Sequence, residues 1–420
     1  MIKTFILQPG VVLRCFPDTR FKHASLSIQL VRCMGQEAAY NALLPAVLLR
    51  GTEKYPDMGH IIRRLDDLYG ASAGASVRRI GNCQTTGLRC SFIEDRFAME
   101  GDQVVRPMAE FMGQLLLRPV LEDGCFRKDY VESEKENLIQ TIQAQRNDKR
   151  AYAAAQLLRA MGKEDSFGIP RLGNEEDVTA ITPKNLYDHY QKILRESPVE
   201  IFYTGSVDPE EMAKILTPLF ADIPRRDVAA LPAQTPLRSA PGGDITEQME
   251  LTQGKLAIGY VTPVTVFDSR FVAMQVFNTL FGSGMVSKLF MKIREEMSLC
   301  YDINSGYYGS KGVLTVSAGI DFDKVDLVRR EIENQLEDCR KGKITREELI
   351  AAKESVISGL EAVHDSPGSI EGYYAVAALS GLTLTPEEYI RQVRLVTPEQ
   401  VAAVAKTLTL HTTYFLQGVE

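Results

Sequence analysis

The chain has 420 residues, 45% of them hydrophobic and 25% charged, and its formal net charge at pH 7 is −7. This composition is typical of globular proteins, and the length suffices for more than one hydrophobic core. The acidic balance argues against a generally basic surface for nucleic acid or anionic lipid, and no apolar run approaches the roughly 20 residues of a membrane-spanning helix.

The first segment of the chain predicts a strand, and the cysteines predict a reducing compartment. MIKTFILQPGVVLRCF holds one lysine, and Gln8-Pro9-Gly10 interrupts its apolar run, which is a poor match to a signal peptide. Seven cysteines, an odd number without a Cys-x-x-Cys pair, are typical of reduced thiols. We therefore expect a cytoplasmic protein with no membrane attachment and no nucleic-acid partner.

The same series of elements is predicted twice along the chain. Each series has an amphipathic helix leading into a strand, a second strand, two long helices, a helix that begins at Thr-Pro, and a final strand. In the first half these patterns occupy residues 61–79, 85–92, 97–118, 126–148, 182–194 and 199–205. In the second half they occupy residues 288–310, 312–320, 323–341, 345–363, 397–408 and 412–418.

The repeated pattern predicts an α+β protein of two homologous domains. Each domain is expected to be a mainly antiparallel sheet covered on one face by helices. Residues 222–245 are rich in Pro, Ala and Gly, which is typical of a linker. We therefore expect an N-terminal domain at residues 1–221 and a C-terminal domain at residues 246–420.

Five segments in their order along the chain resemble the insulinase-like (pitrilysin-type) peptidases of the short, two-repeat kind. They are RGTEKYP (50–56), LGNEEDVTAITPKNL (172–186), TGSVDPEEM (204–212), FGSGMVSKLFMKIREEMSLCYDI (281–303) and LTPEEYIRQVRLVTPEQV (384–401). The resemblance covers nearly the whole chain and implies two domains that form half of a clam-shell chamber. Within the family, the chain is most similar to a zinc-less bacterial subgroup called YfmF-like.

The zinc motif of that family is degenerate here. Active members carry His-x-x-Glu-His before the Gly-Thr pair, with a distal Glu as the third ligand. Counting back from Gly51, the His positions hold Ala42 and Ala46 and the general-base position holds Pro45, while the distal ligand position holds Thr141. Alanine and proline offer no lone pair to zinc, so we expect no metal, no cofactor and no catalytic residue.

Two neighbouring features of this region carry further expectations. Pro45 lacks the backbone N–H of a helical residue and is expected to kink or shorten its helix. Glu134 matches an acidic residue of the family, but it is not the metal ligand.

The resemblance assigns substrate contacts to Arg294 and Tyr301, which lie seven residues apart in IREEMSLCYDI. A guanidinium can hold a peptide carbonyl or a carboxylate, and a tyrosine hydroxyl can donate to the oxyanion that develops at a scissile carbonyl. The nearby Gly282-Ser283-Gly284 lacks the pattern of a phosphate-binding loop and predicts a flexible loop instead.

The resemblance therefore implies a non-catalytic subunit that pairs with a zinc-bearing relative and binds an extended peptide. Two alternatives stay open. One is a proteolytically inactive scaffold protein, linked to modification of translation elongation factor P. The other is an active zinc metallopeptidase whose site is not recognised from the motif. Homodimerisation is open as well, because both halves are built on one plan.

Overall fold

The computed structural model describes residues 2–221, 223 and 225–419. Residues 222 and 224 of the predicted linker, residue 1 of the predicted N-terminal domain and residue 420 of the predicted C-terminal domain lie outside the described residues. The strands are β1 Lys3–Gln8, β2 Val11–Pro17, β3 His23–Cys33, β4 Ser72–Ile80, β5 Cys83–Ile93, β6 Leu121–Glu122, β7 Cys125–Phe126, β8 Val199–Gly205, β9 Gly243–Met249, β10 Gly254–Val261, β11 Cys300–Tyr308, β12 Val313–Ile320 and β13 Thr409–Gly418.

Helices separate these strands in both halves of the chain. They are α1 Ala38–Leu48, α2 Met58–Asp67, α3 Val105–Leu117, α4 Lys128–Ala144, α5 Lys149–Met161, α6 Glu175–Thr179, α7 Pro183–Glu196, α8 Pro209–Ala221, α9 Phe271–Asn278, α10 Val325–Arg340, α11 Arg346–Glu361, α12 Pro367–Ser380, α13 Pro386–Leu395 and α14 Pro398–Ala405. Two π-helical segments are Thr279–Ser283 and Phe290–Glu296.

The described chain divides into two compact units, and each takes a segment from the other half of the sequence. The first unit comprises Met1–Ile142, Pro170–Ala233 and His364–Leu379. The second unit comprises Gln143–Ile169, Gln234–Val363 and Ser380–Glu420. The domain bounds predicted from the sequence stay a prediction, and the compact units cut across them.

The first unit contains a six-stranded sheet of order β1-β2-β8-β3-β5-β4, in which β2 and β8 are parallel and the other pairs antiparallel. Its core follows from alternation along β3, where Leu26, Ile28 and Leu30 belong to the main buried cluster. Helices α1, α3, α7 and α8 contribute to the same cluster. One face of the sheet is thus covered by helices, as predicted.

The opposite face of that sheet carries polar side chains such as Ser27, Arg78 and Arg89, and α12 covers its apolar part. Phe16 and Phe202 on this face pack against Ile370 of α12. Glu371 of α12, which is buried, accepts hydrogen bonds from the Ser27 hydroxyl at 2.9 Å and from the Arg78 guanidinium at 2.6 Å. A buried carboxylate needs such partners, so this helix has one defined position on the sheet.

The second unit contains a five-stranded sheet of order β11-β12-β10-β13-β9, antiparallel except between β13 and β9. Helix α5 packs on it through Leu157 and Met161, in one cluster with Tyr414 of β13. Lys311, which lies between β11 and β12 and is only 1% exposed, donates to Asp165 after α5 at 3.0 Å. The two large sheets confirm the α+β prediction, with one addition in the first unit, where helix α12 also packs on the second face of the sheet.

Candidate functional site

Helix α1 carries three of the predicted zinc-motif positions, Ala42, Pro45 and Ala46, and it passes through Pro45 without ending. The helix continues to Leu48, so proline does not terminate it. The residue at position 45 would normally donate its N–H to the carbonyl of Asn41, and proline cannot do so. The hydroxyl of Thr86 on β5 donates to that carbonyl at 2.6 Å instead.

The residues at the zinc-motif positions do not fit a zinc ion. Ala42, which is 7% exposed, and Pro45 are buried, and Ala46 is half-buried. Thr141 lies exposed on α4, and its hydroxyl donates to Asn137 of its own helix at 2.8 Å. Zinc in proteins is held by thiolate, imidazole and carboxylate groups, none of which these positions supply. Within the described chain, no group of three or more His, Cys, Asp and Glu side chains is arranged to hold a metal ion.

An ion pair joins the two helices that carry these positions. Arg50, just after α1, donates to Glu134 of α4 at 2.8 Å and to the Ser133 hydroxyl at 3.2 Å. Its guanidinium also lies 4.9 Å from the centroid of the Tyr130 ring. Glu134 is therefore held by an arginine.

A buried network of polar side chains lies beside the degenerate motif, and sequence reasoning did not find it. Asn41, which is 0% exposed, donates to the Gln84 side chain at 2.8 Å and lies 2.8 Å from Nε2 of His189. Gln84 in turn donates to the carbonyl of Ala38 at 3.0 Å and to that of Arg171 at 2.8 Å. The available signal was Asn41, the one polar side chain inside the apolar run NALLPAVLL.

The hydrogen bonds fix the state of His189. Because the amide nitrogen of Asn41 donates to Gln84, its oxygen faces Nε2, which must then carry a proton. Burial lowers the pKa of His189 to about 4, an effect that nearby Arg32 and Lys192 reinforce and Glu37 opposes. The imidazole is thus neutral near pH 7.

Glu37, the residue before α1, completes this cluster on its charged side. It accepts hydrogen bonds from Lys192 at 2.6 Å and from Arg32 at 2.7 Å. Burial alone would raise the pKa of Glu37, but these two hydrogen bonds outweigh burial and lower the pKa to about 2. Near pH 7 the cluster therefore contains a neutral His189 and an ionised Glu37, because the pKa values of both lie well below neutral pH.

Arg294 and Tyr301 lie in the second unit on adjoining elements. Arg294 belongs to the π-helical segment Phe290–Glu296, with its guanidinium 4.5 Å from the centroid of the Phe290 ring. Glu295 lies 3.4 Å from that guanidinium, and the Arg294 side chain is 40% exposed. The group is therefore open to a further hydrogen-bond partner.

Tyr301 is turned outward by an irregularity in β11. The pairing of β11 with β12 shifts between Cys300 and Asp302, which leaves Tyr301 as the additional residue. Such a bulge re-aims a side chain, and Tyr301 is 75% exposed. Its hydroxyl makes no hydrogen bond with any of the described residues.

The chain is similar to known proteins in three comparisons: with a family model, with the sequences of relatives and with solved structures. A family model described as "Peptidase M16 inactive domain" matches residues 180–356. A Bacillus subtilis (strain 168) protein, described as "Probable inactive metalloprotease YmfF", is 29% identical over 413 residues, which is 98% of this chain and 96% of the relative.

Solved structures resemble the chain over its full length. The crystal structure of a conserved protein from Enterococcus faecalis V583 has a TM-score of 0.91 and 30% identity, covering 100% of this chain and 99% of the other. The peptidase M16 inactive domain from Pseudomonas fluorescens has a TM-score of 0.82 at 18% identity, covering 99% and 98%. The second likeness shows the fold alone. None of the helices in the described part of the chain combines the length and apolar character needed to cross a bilayer.

Proposed function

Because the chain belongs to the insulinase-like (M16) peptidase family, we propose that it is the zinc-free subunit of a two-chain peptidase. It is a homologue of an inactive metalloprotease of that family. The observation that carries the proposal is the contrast on one chain between zinc-motif positions without a ligand group and an exposed Arg294 and Tyr301. A relative with an intact motif would supply the metal.

Arg294 and Tyr301 suit contacts to a bound peptide. The guanidinium offers donors to a peptide carbonyl or carboxylate, and stacking on Phe290 supports it from one side. The exposed hydroxyl of Tyr301 can donate to the oxyanion that forms at the carbonyl under attack. Zinc on the partner subunit would activate the water, and these two residues would bind and orient the peptide.

An extended peptide can bind by adding a strand to a sheet. In the first unit β4 is the last strand, and its outer edge pairs with no strand of the described chain. On β4 the carbonyl of Val77 already accepts from the Arg171 guanidinium at 2.8 Å. Main-chain N–H and C=O groups that are free along such an edge accept an extended segment without regard to its sequence. Selectivity must then come from side chains that flank the edge.

We also place this subunit in the cytoplasm. All seven cysteines are free thiols in the structure, including buried Cys15, Cys83 and Cys90. Free thiols in this number are typical of a reducing compartment. A zinc-bearing partner would be found in the same compartment.

The test measures peptide hydrolysis and metal content for the purified chain, for a zinc-bearing M16 relative from the same genome, and for their mixture. We expect hydrolysis only in the mixture. Tyr301→Phe should lower kcat roughly a hundredfold, as expected for loss of an oxyanion donor. Arg294→Ala should lower kcat/KM roughly tenfold or more, because a hydrogen bond to a charged group contributes about 1.5–3 kcal/mol.

Matched controls are Tyr308→Phe at the other end of β11 and Arg270→Ala, whose guanidinium pairs with Asp268 at 2.7 Å. Both should leave hydrolysis unchanged. A stable complex without hydrolysis would favour the scaffold alternative. Full activity in the Arg294→Ala, Tyr301→Phe double variant would remove these residues from the mechanism. Stoichiometric zinc and chelator-sensitive hydrolysis by the chain alone would overturn the proposal.

A further inference from the structure

The polar face of the first unit's sheet contains a row of residues that ends at its free edge. Strand pairing places Ser27 of β3 opposite Arg89 of β5, and Arg89 opposite Gly74 of β4. The neighbours of Arg89 in sequence, Leu88 and Cys90, belong to the apolar cluster under the helices. Because side chains alternate along a strand, Arg89 points to the opposite, polar face.

Arg89 lacks the partner that other arginines on this face have. Arg14 donates to Glu200 at 2.9 Å, and Arg78 donates to Glu371 at 2.6 Å. Arg89 is exposed and makes no hydrogen bond or ion pair with the described residues. A guanidinium that is not already committed to a carboxylate remains available to one from another molecule.

The space between Arg89 and the sheet edge is open. A Cβ atom at Gly74 would meet no heavy atom within 4 Å. Neighbouring atoms therefore do not exclude a side chain at position 74. Because glycine has none, an open path leads from Arg89 across β4 to the edge of the sheet. In the next row, Ser72 and Ser91 are paired and exposed. The Ser72 hydroxyl donates to the carbonyl of Ser91 at 3.5 Å, and the Ser91 hydroxyl is a further donor beside the path.

We propose that Arg89 selects an acidic side chain in the peptide that adds to β4, an inference that rests on the proposed function. A residue paired with Gly74 on a segment added to β4 lies in the same row as Arg89. Strands are about 4.8 Å apart, so its Cα lies about 10 Å from that of Arg89. An extended arginine and a glutamate or aspartate together span this distance across a glycine. The preferred substrate class is thus extended peptides with a carboxylate at that register.

The test passes a pool of synthetic decapeptides with randomised sequence over the immobilised full-length chain and determines the composition of the retained fraction by mass spectrometry. We expect Asp and Glu to be enriched over Asn and Gln by roughly threefold to fivefold, the range for a partly exposed ion pair of about 0.6–1 kcal/mol. Arg89→Glu should replace this enrichment with one of Lys and Arg. Gly74→Val should abolish charge preference while retaining peptides, because a β-branched side chain suits a strand and closes the path.

The matched control is Arg106→Glu, which makes the same change of charge at an exposed arginine of α3 that donates to Glu211 at 3.1 Å. It should keep the acidic enrichment. Retention without charge preference, or a preference unchanged by Arg89→Glu, would overturn the assignment to Arg89 and leave strand addition in place. If no peptide is retained by the wild-type chain, peptide binding itself fails, and this inference fails with it.

Discussion

At the scale of single residues, the hydrogen bond that Pro45 removes from α1 is replaced by another. Pro45 removes a donor from α1, and Thr86 supplies another to the same carbonyl, that of Asn41, at 2.6 Å. A buried carbonyl without a partner costs free energy comparable to a lost hydrogen bond. The proline and the threonine are therefore expected to be energetically coupled.

Replacement of Thr86 by Val should lower the free energy of unfolding by roughly 1–3 kcal/mol, because the carbonyl of Asn41 loses its donor. In a Pro45→Ala background the cost should be smaller by about 1 kcal/mol, since the alanine N–H can donate to that carbonyl. Chemical denaturation of the four proteins in this double-mutant cycle measures the coupling.

The neighbouring Thr85 offers the control for that cycle. It is as buried as Thr86, but its hydroxyl has no hydrogen-bond partner among the described residues. Thr85→Val should therefore leave stability nearly unchanged. Equal costs for Thr86→Val with and without Pro45 would contradict the coupling.

His189 makes stability depend on pH. Its pKa is lowered to about 4, against an ordinary value of 6.5, so the unfolded chain binds more protons than the folded protein between these values. Folding stability should therefore fall as pH falls from about 6.5 to about 4, by roughly 2–3 kcal/mol from this group. Denaturant titrations of wild type and His189→Gln, each at pH 7 and pH 4.5, measure the difference.

The quantity compared is the change in unfolding free energy between pH 7 and pH 4.5, because His189→Gln also alters the hydrogen bond to Asn41 and with it the absolute stability. The variant should lose the part of the acid destabilisation that belongs to the imidazole. His23→Gln, at an exposed histidine that begins β3, should retain the wild-type pH dependence. An unchanged slope in His189→Gln would show that the buried imidazole does not set it.

At the scale of elements, signals within a few residues predicted structure well. Thr182 and Thr397 cap α7 and α14 in capping boxes with proline at the first turn, as their sequences predicted. The predicted strand 199–205 is β8, and residues 412–418 fall within β13. These signals are local, so one sequence carries them completely.

Elements set by distant contacts were harder to predict. The predicted helix 97–118 begins as a regular helix only at Val105, since Asp95 accepts hydrogen bonds from the N–H groups of Val104 and Val105 and Gly101 has a φ of +90°. The helical pattern after Lys288 is π-helical from Phe290. The late start of α3 and the π-helical winding hardly change the spacing of apolar residues, so that spacing does not predict them.

The same limit applies to the candidate site. Ala42, Pro45 and Ala46 were located by counting from Gly51, and the structure adds what surrounds them. The bonds of Asn41 to Gln84 and His189 join residues 43 and 148 positions apart, which no spacing rule identifies. Arg89 became a candidate only when strand register placed it beside Gly74.

At the scale of the whole molecule, the exchange of segments between sequence halves predicts that neither half folds alone. A fragment of residues 1–233 lacks α12, so Phe16 and Phe202 lose their cover. A fragment of residues 234–420 lacks α5, which covers Tyr414. Each fragment would expose an apolar surface, and the hydrophobic stabilisation of those contacts is lost. Near-UV circular dichroism and guanidinium titration should show no cooperative transition for either fragment, and one transition for their equimolar mixture.

The control restores the missing segment to one fragment. Residues 364–379 joined to the C terminus of fragment 1–233 through a flexible Gly/Ser linker should restore a cooperative transition, because Glu371 can again accept from Ser27 and Arg78. The same fusion with Glu371→Ala should unfold at lower denaturant concentration, since the buried carboxylate that pairs with Arg78 is removed. Cooperative unfolding of the unmodified 1–233 fragment at the midpoint of the full chain would contradict the prediction. That result would show that α12 contributes little to the stability of this sheet and that residues 1–233 fold without it.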